Sequence, residues 1–237
     1  RVNELVADFN KSQSDYKVNP VYKGNYGESM NAGIAAFRAG NAPDILQVFE
    51  VGTATMMAAK GAIQPVQVMS EQAGKPLDPK KFIAAVAGYY SSAEGKLISM
   101  PFNSSTVVMY YNKDAFKKAG LDADKPPKTW EELAEAGAKL KAAGQACGYT
   151  TSWPSWTQLE TFSAWHNVPY ATENNGFGGP QARLAINSDL HVRHLDNLAK
   201  MGRDGIFQYG GRGDEPNALF LSGHCAIAAE ALYDLLG

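Results

Sequence analysis

The sequence predicts an α/β fold organised as two lobes, and three observations support that prediction. Helix and strand signals alternate through the first half of the chain, which is typical of a largely parallel sheet layered with helices. The second half is more helical, and the pattern of helix and strand signals changes near Asn112. Hydrophobic residues make up 45% of the 237 residues, which is enough for a substantial core. We therefore predict an N-terminal α/β lobe over 1–110 and a partial C-terminal lobe over 111–237, with a hinge near 110–113.

Apolar periodicity, helix caps and chain breakers predict the elements of the first lobe. Apolar residues recur at helical spacing over 1–10 and 26–39, and Gly40 ends the second of these helices. Further helices are predicted over 53–60 and, with Asp78 as N-cap, over 79–87, and short apolar runs predict strands over 18–22, 45–49 and 96–101. This order places Glu50 directly after a predicted strand, where ligands of open α/β sheets gather. Glu50 is therefore the first candidate for a binding residue.

The second lobe opens with a strand rich in Val and Tyr, predicted over 106–112, and a short helix over 113–119. After a break at Pro126 and Pro127, Thr129 is followed three residues later by Glu132. This is the pattern of a capping box, and it predicts a helix over 130–143. The remaining predictions are strands over 148–151 and 224–229 and helices over 155–165, 190–201 and 215–221.

Composition excludes two classes of partner. Lys and Arg number 22 against 24 Asp and Glu, so the net charge is −2 and no basic excess points to nucleic acid or to an anionic membrane surface. No apolar run reaches the roughly 18 residues that a membrane-spanning helix needs. The chain opens within a helical pattern rather than with a signal peptide. We interpret it as a mature chain, with its signal peptide removed, that is truncated at both ends.

The sequence carries no complete signature of catalysis or of metal binding. His191 and His194 are three apart on a predicted helix, yet no carboxylate completes a ligand set, and we expect both on an exposed face. The glycines of 210–214 lack the strand, helix and acidic residue of a dinucleotide site, so we expect a plain loop. No metal, cofactor or enzymatic activity is predicted. Cys147 and Cys225 are compatible with a disulfide in an oxidising compartment and equally with two buried thiols.

A set of aromatic and small polar residues suits a sugar-sized ligand. Indole rings pack against the C–H groups of a polyol and attract a quaternary ammonium, carboxylates accept hydrogen bonds from hydroxyls, and serine hydroxyls suit a phosphate. Taken singly, each residue also has a structural explanation as a helix staple, a surface acid, a turn or a core ring, and Trp130 and Trp165 are expected in the core. The candidates are Tyr26, Glu50, Ser104, Ser105, Trp153 and Trp156.

Several segments carry a resemblance to a known family. They read YKGNY over 22–26, EVGTATMM over 50–57 and PFNSST over 101–106, and a W-x-x-W motif joins Trp153 to Trp156. With similar segments through nearly the whole chain, they resemble the periplasmic sn-glycerol-3-phosphate-binding proteins, which are solute-binding components of ABC importers in the maltose-binding-like superfamily. The runs YNKD and PKTWEE are shared with many carbohydrate-binding relatives and support the superfamily only.

The resemblance implies the type II two-lobe periplasmic binding protein fold, with the ligand held between the lobes. It assigns Tyr26, Glu50 and Ser105 to the lining of that cleft, and the indoles of Trp153 and Trp156 to stacking on the glycerol. Because a carboxylate would repel phosphate, we expect Glu50 to meet the glycerol hydroxyls, and we assign Ser105 to the phosphate as a hypothesis. The resemblance also implies a periplasmic monomer that binds sn-glycerol 3-phosphate or glycerophosphocholine and delivers it to ABC permease subunits in the inner membrane.

The sequence departs from the family pattern in two places, so it does not decide the identity of the ligand. The family supplies further ligand residues beyond the last residue of this chain, and where it has a serine-rich turn this chain reads AAEALY over 228–233. The sequence does not rank glycerol 3-phosphate against glycerophosphocholine. Two other functions remain as alternatives: a binding protein for a neutral oligosaccharide with the same fold and, more remotely, a glycerophosphodiester or glycoside hydrolase.

Overall fold

The chain forms two compact units, Arg1–Pro101 and Phe102–Gly237. The computed structural model describes residues 1–57, 59, 61–92, 94–179 and 181–231, without the side chains of 50, 51, 54 and 57. The division between the units falls shortly before the strand in which the sequence prediction placed the lobe boundary, and the hinge near 110–113 stays a prediction. Among the helices of these described ranges, none combines the length and the apolarity of a membrane span.

The described residues of the first unit form helices joined by segments without regular secondary structure. The helices are α1 (Val2–Ser12), α2 (Tyr26–Arg38), α3 (Glu50–Met57), α4 (Val66–Gln72) and α5 (Ala84–Tyr89), with a 3-10 turn at Pro79–Lys81. Helix α2 begins at a capping box, because the Asn25 side chain accepts from the Glu28 N–H while the Glu28 carboxylate accepts from the Asn25 N–H. The single helix predicted over 79–87 is wrong, since extended backbone at Phe82 separates the 3-10 turn from α5, although Asp78 is the N-cap of that turn as predicted.

The strands predicted in the first unit are wrong for the described residues, where 18–22, 45–49 and 96–101 form no ladder. An apolar run becomes a strand only when a neighbouring backbone completes its hydrogen bonds. At Val18 the side chain of Asn10 takes that role, donating to the Val18 carbonyl and accepting from its N–H over 2.9 and 2.8 Å. Ile45 is 82% exposed, and Leu97 makes only an isolated bridge to Ser91.

The second unit surrounds a three-stranded sheet. Its strands are β1 (Val107–Tyr111), β2 (Cys147–Thr151) and β3 (Cys225–Ala231). Its helices are α6 (Lys113–Lys118), α7 (Trp130–Ala142), α8 (Thr161–Trp165), the short turn α9 (Thr172–Asn175), α10 (Asp189–Arg203) and α11 (Asn217–Leu221). A π-helical segment at Trp156–Glu160 precedes α8 directly. These bounds confirm the predicted strands over 106–112, 148–151 and 224–229. The capping box prediction is confirmed in its first half, because the Thr129 hydroxyl accepts from the Glu132 N–H at the start of α7.

The sheet is mixed, with β3 between β1 and β2. Strand β3 runs antiparallel to β1, with Val107 opposite Ala231, and parallel to β2, with Thr151 opposite Ala229. All seven residues of β3 are buried, as in a central strand covered on both faces. The segment 228–231, where the family pattern has a turn, is therefore strand, and Leu232 and Tyr233 lie outside the described residues.

Side chains from the sheet and from α6, α7 and α10 form the core of the second unit. Its largest fully buried side chains are those of Phe116, Leu140, Tyr149, Met201 and Ile227. Trp130, at the start of α7, packs against this core, as predicted. Trp165 was expected there as well, and this expectation is wrong: it lies at the end of α8 and is 56% exposed.

Two histidines expected on an exposed helix face are buried. His191 is 1% exposed and His194 is 5% exposed, because the face of α10 that carries them packs against Phe162 of α8. Hydrogen bonds make this burial tolerable. The His191 ring bonds to the hydroxyls of Ser163 and Ser188 through its two nitrogens, over 2.8 and 2.7 Å.

Cys147 and Cys225 form a disulfide, which decides between the two states that the sequence left open. The two residues are direct partners in the parallel pairing of β2 with β3, and both are buried. The bridge therefore fixes the ends at which these two strands begin.

Candidate functional site

One edge of the sheet in the second unit gathers four of the candidate residues. Strands β2 and β3 end at this edge and β1 begins there, because Thr151 lies opposite Ala229 while Val107 lies opposite Ala231. Trp153 follows the end of β2 by two residues, and Ser105 precedes the start of β1 by two residues. With β3 between them, β1 and β2 are about 10 Å apart. We call this side of the sheet the carboxyl edge.

The two serines of the carboxyl edge are open to solvent. Ser104 and Ser105 lie before β1 in a segment without regular secondary structure, and both are exposed. Exposed hydroxyls are free to donate to an oxyanion.

Trp153 lies on a tight turn that follows β2, and Trp156 is the first residue of the π-helical segment. Trp153 has a φ of 43°, a left-handed conformation that costs a non-glycine residue roughly 1–3 kcal/mol and is kept only where the surroundings enforce it. The carbonyl of Trp153 accepts from the N–H groups of Trp156 and Thr157, each over 2.9 Å. Both indoles are half-buried, and that of Trp156 packs against the core.

A buried hydrogen-bond network lies beneath this turn. The amide of Gln158 donates to the Tyr149 hydroxyl over 2.8 Å and to the Thr151 hydroxyl over 2.9 Å. The Thr151 hydroxyl lies 2.8 Å from that of Thr157, which donates to the Ser152 carbonyl over 2.9 Å. The π-helical segment that supplies Gln158 is therefore tied to the end of β2, just before Trp153. Neither Thr157 nor Gln158 was singled out from the sequence, because no local pattern reveals a π-helical turn.

His194 completes the network at its far end. Its Nε2 lies 3.1 Å from the Gln158 side-chain carbonyl, which accepts because the amide nitrogen already donates twice. Burial, with a smaller contribution from the neighbouring His166 and His191, lowers the pKa of His194 to about 4. His194 is thus a neutral ring with its proton on Nε2 at neutral pH.

A glycine-rich loop lies against Trp153. The Trp153 N–H donates to the Gly213 carbonyl over 3.3 Å, and the indole N–H donates to the Asp214 carboxylate. Glu215 shapes the loop by accepting from the Gly213 N–H over 2.8 Å. Gly211 has a φ of 149°, and a Cβ there would lie 2.7 Å from the Glu215 carboxylate, so this position favours glycine. The sequence prediction of a plain loop over 210–214 missed this contact.

In the first unit, Tyr26 contacts Phe49, the residue that directly precedes Glu50. The Tyr26 ring stacks on Phe49 with centroids 5.2 Å apart and planes 9° apart, and Glu50 follows Phe49 as the first residue of α3. Close packing of α3 on α2 supports this placement, because a Cβ at Gly52 would lie 2.7 Å from the sulfur of Met30. The Glu50 side chain lies outside the described residues. Each group of candidates thus occupies one region of its own unit, and a cleft shared by the two groups stays a prediction.

The side chains of these groups have the chemistry needed to contact a small polar ligand. Indole, phenol and hydroxyl groups offer stacking surfaces and hydrogen bonds. The described residues contain no group of three or more His, Cys, Asp and Glu side chains placed to hold a metal ion.

Comparison with known proteins identifies the family. Residues 2–234 match the family described as bacterial extracellular solute-binding protein. The chain belongs to this family. Among its similar relatives are two proteins named sn-glycerol-3-phosphate-binding periplasmic protein UgpB. The one from Brucella abortus is 52% identical over 97% of this chain, and the one from Yersinia enterocolitica is 59% identical over 95% of it. The chain spans about half the length of these relatives, 53% and 52%.

Solved structures of other solute-binding proteins have a fold similar to that of this chain. The GacH receptor of Streptomyces glaucescens matches with a TM-score of 0.77 at 19% identity, over 97% of this chain and 56% of the receptor. The cyclic alpha-maltosyl-1,6-maltose binding protein of Arthrobacter globiformis matches with a TM-score of 0.70 at 22% identity, over 97% and 56%. The predicted α/β binding-protein fold of maltose-binding type is therefore confirmed. So is the periplasmic location, since the relatives of this solute-binding protein are named as periplasmic.

Proposed function

We propose that this protein is the solute-binding component of an ABC importer and that it captures sn-glycerol 3-phosphate in the periplasm. One observation carries the proposal: the register of the sheet brings Ser105 and Trp153 to the same carboxyl edge. A hydroxyl for an anion and an indole for a polyol are then within the reach of one small molecule. The identity of 52–59% to relatives named for this ligand supports the same choice.

The proposed roles follow from charge and shape. Trp153 and Trp156 stack on the C–H face of the glycerol, and Ser105, with Ser104 beside it, donates to the phosphate. Tyr26 and Glu50 belong to the same cleft in the proposal, with Glu50 accepting from glycerol hydroxyls because a carboxylate beside phosphate would be repelled. Closure of the two lobes on the ligand, about the hinge near 110–113, presents the protein to the permease subunits as a monomer.

Glycerophosphocholine is the second candidate ligand. It contains the same glycerophosphate, and its quaternary ammonium would be attracted to an indole face such as that of Trp153 or Trp156. The half-burial of both rings leaves part of each surface for such a contact.

Calorimetric titration of the whole protein, with any residues that flank this chain, tests the proposal. Glycerol 3-phosphate, glycerophosphocholine and maltose are titrated against the wild type, Trp153→Ala, Glu50→Ala and the matched control Trp165→Ala, which removes an exposed indole at the end of α8. We expect Trp153→Ala to weaken binding of glycerol 3-phosphate by roughly tenfold or more, the effect of losing a stacked aromatic contact, and Trp165→Ala to leave it unchanged.

Other outcomes select the alternatives. Binding of maltose without glycerol 3-phosphate would assign the protein to neutral oligosaccharides. Release of glycerol 3-phosphate from glycerophosphocholine, abolished by replacing one carboxylate, would identify a hydrolase. Unchanged affinity in both Trp153→Ala and Glu50→Ala would remove the assigned site.

A further inference from the structure

The loop over 210–214 contacts Trp153 at three places. Its backbone carbonyl at Gly213 accepts from the Trp153 N–H, and the Asp214 carboxylate accepts from the indole N–H. The Gly213 backbone also lies beside the six-membered ring, because a Cβ there would be 3.7 Å from Cζ2 of Trp153. The loop thus contacts both the main chain and the ring edge of one residue.

Trp153 needs such contacts because its own conformation is unfavourable. Its φ of 43° is a left-handed value that a bulky side chain rarely adopts. An indole on such a residue keeps one orientation only when neighbouring groups fix both the backbone and the ring. Hydrogen bonds to the Trp153 carbonyl fix the backbone, and the bond to Asp214 fixes the rotation of the ring.

We infer that Asp214 is a positioning residue for ligand binding: its carboxylate holds the Trp153 indole in the orientation that stacks on the ligand. This inference rests on the proposed function, since it gives Asp214 a role only when Trp153 contacts the ligand. Asp214 acts through the indole and makes no contact with the anion. The negative charge of Asp214, taken alone, would weaken the binding of an anionic ligand.

Because Asp214 and the ligand are both negatively charged, the direction of the change in affinity distinguishes a positioning role from a simple electrostatic effect. A carboxylate near a bound glycerol 3-phosphate repels it, so removing that charge should strengthen binding if charge is all that matters. If Asp214 positions the indole, removal should weaken binding, because the ring gains rotational freedom that the ligand must then restrict. The two accounts predict opposite changes for the same substitution.

The experiment measures the Kd of glycerol 3-phosphate for the whole protein and three variants. Asp214→Ala removes both the acceptor and the charge, and Asp214→Asn keeps an acceptor oxygen without the charge. Asp196→Ala, on the exposed face of α10, removes one negative charge elsewhere. We expect Asp214→Ala to bind roughly tenfold more weakly, the equivalent of 1.4 kcal/mol. Asp214→Asn should stay within about threefold of the wild type, and Asp196→Ala should be unchanged.

A double-mutant cycle links the effect to the indole. In the background of Trp153→Phe, which has no indole N–H, Asp214→Ala should cause no further loss of affinity. Equal or tighter binding by Asp214→Ala in the wild-type background overturns the inference, as does an equal loss in Asp214→Ala and Asp214→Asn. If the wild type itself binds no glycerol 3-phosphate, the proposed function fails; if it binds and Asp214→Ala binds as well, only this inference fails.

Discussion

His194 of α10 donates a hydrogen bond to the side-chain carbonyl of Gln158 in the π-helical segment, over 3.1 Å, and the same ring stacks on Phe162 with centroids 3.9 Å apart. Its other nitrogen, Nδ1, is buried without a hydrogen-bond partner among the described residues. A proton added there would be a buried charge with nothing to accept from it. This arrangement keeps the ring neutral and makes the second unit sensitive to acid.

The first prediction is a loss of stability in mild acid. The pKa of His194 is about 4 in the folded protein and near 6.5 in an unfolded chain. Between these values the unfolded state binds more protons, so the free energy of unfolding should fall as the pH drops from about 6.5 to about 4. We expect a loss on the order of 2 kcal/mol once solvent screening is allowed for. Urea unfolding across this range measures it.

His194→Gln is the control for the acid prediction. A glutamine amide can still donate to Gln158 but does not titrate. The variant should show a flatter dependence of unfolding free energy on pH, because the group with the lowered pKa is gone. An identical pH dependence in His194→Gln would assign the acid sensitivity to other groups.

The second prediction concerns the hydroxyl of Thr157, which supports the turn that carries Trp153. Thr157→Val removes its bonds to the Ser152 carbonyl and the Thr151 hydroxyl. Thr150→Val is a matched control, since Thr150 is equally buried and its hydroxyl donates to the Gln208 carbonyl over 2.9 Å. Both variants should lose about 1–2 kcal/mol of stability. Only Thr157→Val should weaken binding of glycerol 3-phosphate as well.

Thr157→Ser provides the test of the mechanism, because it restores a hydroxyl at the same position. Its affinity should return close to that of the wild type even if its stability does not. Equal affinities for Thr157→Val and Thr150→Val would show that the network does not position the turn. Titration calorimetry and thermal melts on the same samples give both quantities.

The helices and strands of the second unit were largely predictable because their signals are local. Thr129 and Glu132 mark the start of α7, and the segments predicted as β1, β2 and β3 all pair within one sheet. In the first unit the equivalent signal failed at Val18, because the side chain of Asn10 completes the hydrogen bonds that a neighbouring strand would make. Local pattern specifies a strand only where the tertiary structure supplies its partner.

The candidate residues were predictable by type, but their arrangement was not. Ser105 and Trp153 are 48 positions apart, and only the register of β1 and β2 on β3 brings them to one edge. The contact between Trp153 and Asp214 depends on a loop whose glycines suggested no function. Buried histidines were also missed, because an isolated histidine carries no sign of the hydroxyls and amides that will surround it.

The third prediction concerns the disulfide between Cys147 and Cys225. It closes a loop with a sequence separation of 78 residues, so reduction should lower stability by about 2–4 kcal/mol. The double variant Cys147→Ala and Cys225→Ala should have this lower stability with or without reductant. Chemical denaturation with and without dithiothreitol measures the difference. A wild type that is indifferent to reductant, once thiol titration shows the bond is broken, would contradict the prediction.

The fourth prediction concerns the start of α2, where Tyr26 is the first helical residue. The Asn25 side chain accepts from the Glu28 N–H over 2.9 Å, and substitution of such a cap by alanine costs about 1 kcal/mol. Asn25→Ala should therefore let the first turn fray, which speeds amide hydrogen exchange at Glu28 and loosens Tyr26 from Phe49. Asn25→Asp keeps an acceptor at the cap and should exchange at the wild-type rate. Exchange at Glu28 that is equally slow in Asn25→Ala would show that tertiary packing, not the cap, fixes the start of this helix.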